Sequence, residues 1–335
     1  MDMPPPSLAE LGWRQFFSAQ ASSDENARYQ PVRVMAVHRG KIAVAGAGAV
    51  RMIDPHLPGI RAAEDHPTVG DWLLIDPETQ QPVRILDRAN LFKRRAPGPN
   101  RQSQMIAANV DTLFIVASCN QDFSAPRLER YLILAREVGV NPVVVLTKAD
   151  LTDTPETFET AARNLQPGLL VRTVNARDAD SVANLASWCG VGDTVALLGS
   201  SGVGKSTLVN SLRGSNSIAT QEIRKTDGTG RHTTTVREMH RLDRGGWLLD
   251  TPGMRELQLT DAADGLAEVF DDIAAAAQLC RFSDCAHGSE PGCGVQASIA
   301  RGEFSTTRLD RWRRLAAEER LNSTSLAQRR RGERK

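Results

Sequence analysis

Gly199–Ser206 reads G-S-S-G-V-G-K-S and fits G-x-x-x-x-G-K-[ST], the pattern of a phosphate-binding loop. No other stretch constrains the fold as much, because such a loop works only between a strand and a helix. The apolar run Thr194–Leu198 just before it predicts a buried strand, and Thr207–Leu212 just after it predicts the first turns of a helix. Glycines at 199, 202 and 204 let the backbone curl its N–H groups toward phosphate oxygens, and the helix N-terminus adds a favourable dipole. Gly199, Ser200, Ser201, Gly202, Val203, Gly204, Lys205, Ser206 and Thr207 are therefore the expected triphosphate-binding residues. Lys205 would reach the β- and γ-phosphates, and the Ser206 hydroxyl would bind Mg2+. The motif specifies a nucleoside triphosphate without naming its base.

A chain of 335 residues has room for two or three domains. Its net charge of +1 means that any affinity for nucleic acid must come from local basic clusters. No long apolar segment predicts a membrane span, and Met1–Pro6 has neither a basic nor an apolar stretch of the kind a signal peptide needs. The five cysteines are odd in number, and three of them crowd with a histidine near the C-terminus. That pattern favours a reducing cytoplasm and a bound metal over disulfides.

Ser7–Glu10 has the spacing of a capping box, so a short helix is expected there, with Trp13, Phe16 and Phe17 docking it. Val32–Val37, the turn His38–Lys41 and Ile42–Val44 predict a hairpin, and Gly70–Ile75 and Val83–Leu86 two more strands. Short strands so close together suggest a small β-barrel. OB-type barrels commonly bind single-stranded nucleic acid, although a ligand-free barrel has the same pattern. Arg84, Arg88, Lys93, Arg94, Arg95 and Arg101 point toward a phosphate-facing surface, and a solvated linker would look similar. From Val110 strands and helices alternate. Strands are expected at Leu113–Ala117, Val143–Leu146 and Leu170–Val174, and helices around Leu128–Val138, Phe158–Leu165 and Val182–Cys189. Repeated βα units predict a parallel sheet with ligands at the strand C-terminal ends.

Trp247–Leu249 predicts a further strand that ends in Asp250-Thr251-Pro252-Gly253-Met254. Asp250 has the position of a Mg2+-binding aspartate downstream of a phosphate loop, and the Gly253 N–H would meet the γ-phosphate. Thr147-Lys148-Ala149-Asp150 resembles the guanine-reading N/T-K-x-D motif. Asp150 can accept from both N1–H and N2–H2 of guanine, a donor pair that adenine lacks, while Lys148 covers the base. Asn175-Ala176 sits where GTPases often carry Ser-Ala. The order is unusual, since the base motif at 147–150 precedes the phosphate loop at 199–206, so the domain reads as circularly permuted.

Near the C-terminus, Cys280, Cys285, His287 and Cys293 form C-x4-C-x-H-x5-C, a closed set of three thiolates and an imidazole typical of structural zinc. The faint deaminase echo in His287, Glu290, Pro291 and Cys293 lacks both H-x-E and P-C-x-x-C, and four protein ligands leave no open position for water. The barrel, the permuted order, Gly230–Thr235, Asp250–Leu257 and the cysteine spacing together resemble the ribosome small-subunit-dependent GTPase A family, over roughly Val32 to Trp312.

The resemblance implies a multidomain chain. It would comprise an N-terminal extension (1–30), an N-terminal OB-type β-barrel (31–100), a central circularly permuted P-loop α/β GTPase domain (101–265), and a C-terminal helical zinc-binding domain with a basic tail (266–335). The implied activity is hydrolysis of GTP to GDP and phosphate, stimulated by the small ribosomal subunit and coupled to its late maturation. The implied setting is a cytoplasmic monomer that contacts rRNA. Met254 stands where many GTPases place a water-orienting Gln, so slow unassisted hydrolysis is expected. His232 is the nearest replacement, and the resemblance points the same way. Thr234 is the expected switch ligand to Mg2+ beside Ser206 and Asp250, with Thr233 and Thr235 also within the spacing. Two other classes fit parts of the pattern, an RNA-binding scaffold with incidental nucleotide binding and a P-loop small-molecule kinase. Hydrolysis without a small acceptor separates the kinase, and single-turnover hydrolysis with and without subunits separates the scaffold.

Overall fold

The computed structural model describes residues 6–46, 49–57, 59, 65–95, 103–214, 237–250 and 262–332. The chain forms two compact units. The first comprises Met1–Phe123, Val140–Glu159 and Leu170–Leu257, and the second Ser124–Gly139, Thr160–Leu169 and Gln258–Lys335.

The first unit opens with a turn where a helix was expected. The Ser7 N–H and hydroxyl both donate to Glu10 (2.9 and 2.8 Å), so the capping box forms. Leu8–Gly12 nevertheless remains a turn. Gly12, at φ +86°, reverses the chain before a second turn of helix can form. Two short helices follow, α1 (Gln15–Ser18) and α2 (Ser23–Arg28), the latter with a complete capping box from Ser22 and Glu25. The barrel strands are β1 (Gln30–His38), β2 (Lys41–Gly46), β3 (Ala49–Ile53), β4 (Trp72–Ile75) and β5 (Pro82–Ile85), paired antiparallel in the order β3-β2-β1-β4-β5. Val32, Val34, Ile42, Val44, Ile53, Leu73 and Ile75 form their shared core. β6 (Leu91–Arg95) and β7 (Ser103–Ala108) form a separate antiparallel pair.

β1 is irregular between Val34 and Ala36. Its first half pairs with β4, and Ala36–Val37 pair with a strand of the second half of the unit. A bulge of this kind re-aims a strand, and here β1 pairs with two strands in succession while also pairing with β2. The second of the two in succession is β12 (Arg237–Arg241), next to β13 (Trp247–Asp250). The sheet continues through β11 (Thr194–Leu198), β8 (Thr112–Ser118), β9 (Asn141–Thr147) and β10 (Leu170–Thr173), the strands β10-β9-β8-β11-β13 all running parallel. β8 is buried at every position, as a parallel strand covered on both faces must be. The helix expected at Val182–Cys189 is instead one α-turn, α5 (Ala179–Val182), followed by a 3-10 segment at Ala183–Trp188.

Two of the arginines expected to face phosphate are used inside the unit. Arg84 pairs with Glu25 (2.8 Å), and Arg88 makes a two-pronged pair with the fully buried Asp71 (2.7 and 2.8 Å). Arg33 is also buried. It donates to the carbonyls of Leu11 (2.6 Å) and Asn109 (3.2 Å), and burial pulls its guanidinium down to about 10.

The second unit is helical. α3 (Ala125–Glu137) meets α7 (Ala263–Val269) so closely that a Cβ on Gly265 would lie 2.3 Å from the Ile133 carbonyl. α8 (Asp271–Ala277), α9 (Gly294–Ala300) and the long α10 (Thr306–Gly332) complete it. Arg308 of α10 is buried. It ion-pairs with Asp272, donates to the carbonyls of Leu165 and Val269 (3.0 Å each) and stacks on Phe270. Arg311 holds Glu129, which is fully buried and whose carboxyl burial pushes above its ordinary range (2.9 Å). No helix among the described residues is long and apolar enough to cross a membrane.

Candidate functional site

The phosphate-loop sequence lies between β11 and α6 (Lys205–Leu212), at the point where chain order in the sheet reverses between β8 and β11. Crevices at such points, outside the carboxyl ends of parallel strands, are where α/β sheets bind ligands. Glycine is required at two positions for different reasons. A Cβ on Gly199 would lie 2.3 Å from the Val116 carbonyl of β8, so only glycine lets the loop leave the sheet there. Gly204 has φ +93° and precedes the helix, in the left-handed region that other side chains resist. No side chain caps the first turn of α6, so its N–H groups face the loop. The Lys205 ammonium folds back onto the loop, donating to the carbonyls of Gly199 (2.7 Å) and Ser200. Ser206 follows Lys205 in the first turn of the helix.

The base motif emerges from the neighbouring strand. β9 is buried from Pro142 to Thr147, and Lys148 then turns with φ +59°, rare for a residue with a side chain. That turn brings Asp150 to an exposed position in a short 3-10 segment. Thr147 is fully buried, and its hydroxyl faces the carbonyls of Ala117 (3.1 Å) and of Val203 in the phosphate loop. The hydroxyl thus joins the two motifs through the protein itself. Asn175 and Ala176 follow β10 on the adjacent strand end. The Ala149 N–H donates to the Val174 carbonyl (3.4 Å), so the two base-side loops are also tied together.

Three side chains outside any motif complete the arrangement. The Ser181 hydroxyl accepts from the Asn175 N–H (2.9 Å), and the Ser211 hydroxyl, on α6, donates to the Ala176 carbonyl (2.6 Å). Ser118 donates to Asn120 Oδ1 (2.8 Å) at the end of β8. Isolated serines carry no sequence signal, which is why pattern reading passes over them. Cys119 and Cys189 are buried, and burial pushes their thiols up to about 11 and about 12, as for inert core thiols. Of the remaining expected site residues, the backbone of Asp250 closes β13. The Asp250 side chain, His232, Thr234 and Gly253 lie outside the described residues.

A second site lies in the helical unit. Cys280, Cys285, His287 and Cys293 bring their ligand atoms within 4.8 Å of one another. Cys280 Sγ lies 3.9 Å from Cys293 Sγ and 3.5 Å from His287 Nδ1, and Cys293 Sγ lies 3.8 Å from His287 Nδ1. A tetrahedral ion at about 2.3 Å from sulfur and about 2.05 Å from nitrogen would set such edges near 3.8 and 3.5 Å. The four residues therefore fit a metal ion. Backbone support is in place, since the N–H groups of Gly294 and Gln296 donate to the sulfurs of Cys280 and Cys293. His287 sits at φ +59°, its carbonyl accepting from Gln296 and Arg313 (2.6 Å each). Burial pulls its imidazole below the usual range, toward the neutral form that binds metals.

Residues 85–260, more than half of the chain, match the family described as RsgA GTPase. A Vibrio parahaemolyticus protein described as small ribosomal subunit biogenesis GTPase RsgA 2 is 48% identical over 325 residues, spanning 96% of this chain and 88% of that protein. A Mesorhizobium japonicum protein described as small ribosomal subunit biogenesis GTPase RsgA is 47% identical over 95% of this chain and 91% of its own length. Among solved structures, YjeQ from Thermotoga maritima aligns with a TM-score of 0.62 at 24% identity, covering 86% of this chain and 97% of that one. YloQ, described as a circularly permuted GTPase, aligns at 0.60 with 25% identity over 89% and 97%.

Proposed function

We propose, for a chain that belongs to the RsgA GTPase family, that it hydrolyses GTP in the service of small ribosomal subunit biogenesis. The observation that carries this reading is the junction at Thr147. It ties a guanine-type motif to a phosphate loop through the Val203 carbonyl, where the strand that carries the base motif, β9, and the strand that leads into the loop, β11, flank β8 in one parallel sheet.

In this reading Gly199–Thr207 cradle the phosphates, with Lys205 already held over the loop. Asp150 accepts from the guanine N1–H and N2–H2 pair, Lys148 lies over the base, and Asn175 and Ala176 meet its carbonyl edge. Ser206, Thr234 and Asp250 would hold Mg2+, which neutralises charge between the β- and γ-phosphates when bound. The Gly253 N–H would meet the γ-phosphate, and His232 would orient the attacking water that Met254 cannot guide. Cys280, Cys285, His287 and Cys293 would hold one structural zinc, since three thiolates and an imidazole suit that ion and four protein ligands leave no open position for chemistry. The sequence limits 31–100, 101–265 and 266–335 serve here as barrel, GTPase and zinc domains. The barrel and the basic C-terminal region would contact rRNA in a cytoplasmic monomer.

The test is multiple-turnover GTP hydrolysis with purified small subunits, with large subunits, and with neither. Small subunits should accelerate the reaction roughly a hundredfold or more by ordering a site already assembled. His232→Ala should lose that acceleration and keep its affinity for GDP. Equal stimulation by the two subunits overturns the small-subunit reading, and stimulation by neither favours a scaffold.

A further inference from the structure

Asn175 and Ala176 are almost completely accounted for by hydrogen bonds within the protein. The Asn175 N–H donates to Ser181 Oγ, the Asn175 carbonyl accepts from the Asp178 N–H (3.1 Å), and the Asn175 side chain accepts from the Arg177 N–H (3.0 Å). The Ala176 carbonyl accepts from the Ser211 hydroxyl at 2.6 Å. One polar backbone group is left. The Ala176 N–H has no acceptor among the described residues, although Ala176 is only 6% exposed. Buried backbone donors are nearly always paired, so a donor left open among the described residues, in an otherwise satisfied turn of a buried residue, is a fitting partner for a ligand acceptor. That N–H lies in the peptide plane of the Asn175 carbonyl, which the Asp178 N–H holds, and the next plane is hinged to it at the Ala176 Cα. That next plane carries the Ala176 carbonyl, and what holds that carbonyl is a side chain on α6, the helix that begins with Lys205.

We propose that Ser211 is a positioning residue for base readout. By gripping the Ala176 carbonyl, it anchors Ala176 in the place from which its N–H meets the six-position carbonyl of the purine, and it links that readout to the helix that carries the phosphate-binding lysine. The proposal rests on the guanine reading above and adds to it a residue that touches neither base nor phosphate. The same geometry explains why the loop can begin with Asn175 where a serine is usual, because Ser181 and Ser211 supply from outside the loop the hydroxyls that brace it.

The test measures equilibrium binding of GDP, 6-thio-GDP and ADP to the full chain and to its Ser211→Ala and Ser211→Thr variants. Sulfur at the six position is a poor acceptor, while the N1–H and N2–H2 donors that Asp150 reads are unchanged. Wild type should bind GDP roughly tenfold more tightly than 6-thio-GDP, about the worth of one hydrogen bond. Ser211→Ala should weaken GDP severalfold and leave 6-thio-GDP nearly unchanged, so that the ratio collapses, and Ser211→Thr should restore it by returning the hydroxyl. Equal weakening of both nucleotides by Ser211→Ala would mean that the serine merely supports the helix, and would overturn the proposal. So would a variant with unchanged GDP affinity, or a wild type that does not distinguish the two guanine nucleotides. Equal binding of GDP and ADP by wild type is a separate failure, seen before any variant is made, and it removes the guanine reading together with this one.

Discussion

At Lys148 the backbone takes up φ +59°, a conformation that costs a residue with a side chain on the order of 1–3 kcal/mol. The turn is held from both sides, by the buried Thr147 before it and by the Ala149 N–H on the Val174 carbonyl after it. Its effect is to carry the chain from the buried end of β9 at Thr147 to the exposed Asp150 within four residues. Asp150→Asn replaces one acceptor with a donor, and should invert base preference from guanine toward xanthine nucleotides. The expected loss of GDP affinity is roughly tenfold to a hundredfold, the range for hydrogen bonds to a charged group. Competition binding with GDP and XDP measures it, and unaltered preference would remove Asp150 from base readout. The motif residues here were legible because their chemistry recurs at fixed spacing. The use of the Thr147 hydroxyl was not, since one hydroxyl can serve a ligand or a carbonyl, and only the approach of Val203 decides between them.

The elements of the sheet follow the sequence where apolar runs are long and depart from it where they are short. β8, β9 and β11 are nearly unbroken apolar stretches, and each forms where expected. β12 reads Arg-Glu-Met-His-Arg, with Met239 its single buried side chain, so neither period nor composition predicts it. It exists because β13 on one side and β1 on the other satisfy its backbone. In the helical unit, polar contacts do comparable work. Arg308→Ala would leave Asp272 and the carbonyls of Leu165 and Val269 without their shared donor, a loss of about 3–5 kcal/mol by the usual cost of breaking a buried charge network. Chemical denaturation followed by a probe in the helical unit should show the lowered midpoint. A midpoint within error of wild type would mean that the network contributes nothing net.

For the whole molecule, the two compact units predict separable responses to metal removal. The metal ligands all lie in the unit that contains Gln258–Lys335, and the phosphate loop and base motif all lie in the other. His287 is held through its carbonyl by Gln296 of α9 and Arg313 of α10, and its ring lies 5.6 Å from that of Trp312. Chelation, or Cys285→Ser, should therefore release the Cys280–Cys293 loop and loosen the helices packed on it, because ion binding supplies folding energy to so small a cluster. Limited proteolysis should then cut after Leu266 at concentrations of protease that spare the metal-loaded chain, while GDP binding persists. Metal analysis should find about one zinc per chain for four protein ligands. A protease-resistant C-terminal region in metal-free protein would contradict this.

The sequence alone determined the phosphate loop, the base motif, their inverted order and the metal-ligand set, because each is a short pattern in which residue type and spacing carry the chemistry. It also determined that β8 and β11 are buried strands, because parallel strands covered on both faces must be apolar throughout. Only the tertiary structure decided that β1 turns at a bulge to pair with both β4 and β12, joining the barrel strands and the parallel strands in one sheet. It also decided that Ser124–Gly139 and Thr160–Leu169 pack with the C-terminal chain, that Arg84 and Arg88 are spent on internal carboxylates, and that Ser211 grips Ala176. In each case the partner is distant in the chain and the group could serve several roles. What selects one is which acceptor the fold brings within about 3 Å, and residue spacing along the chain does not encode that distance.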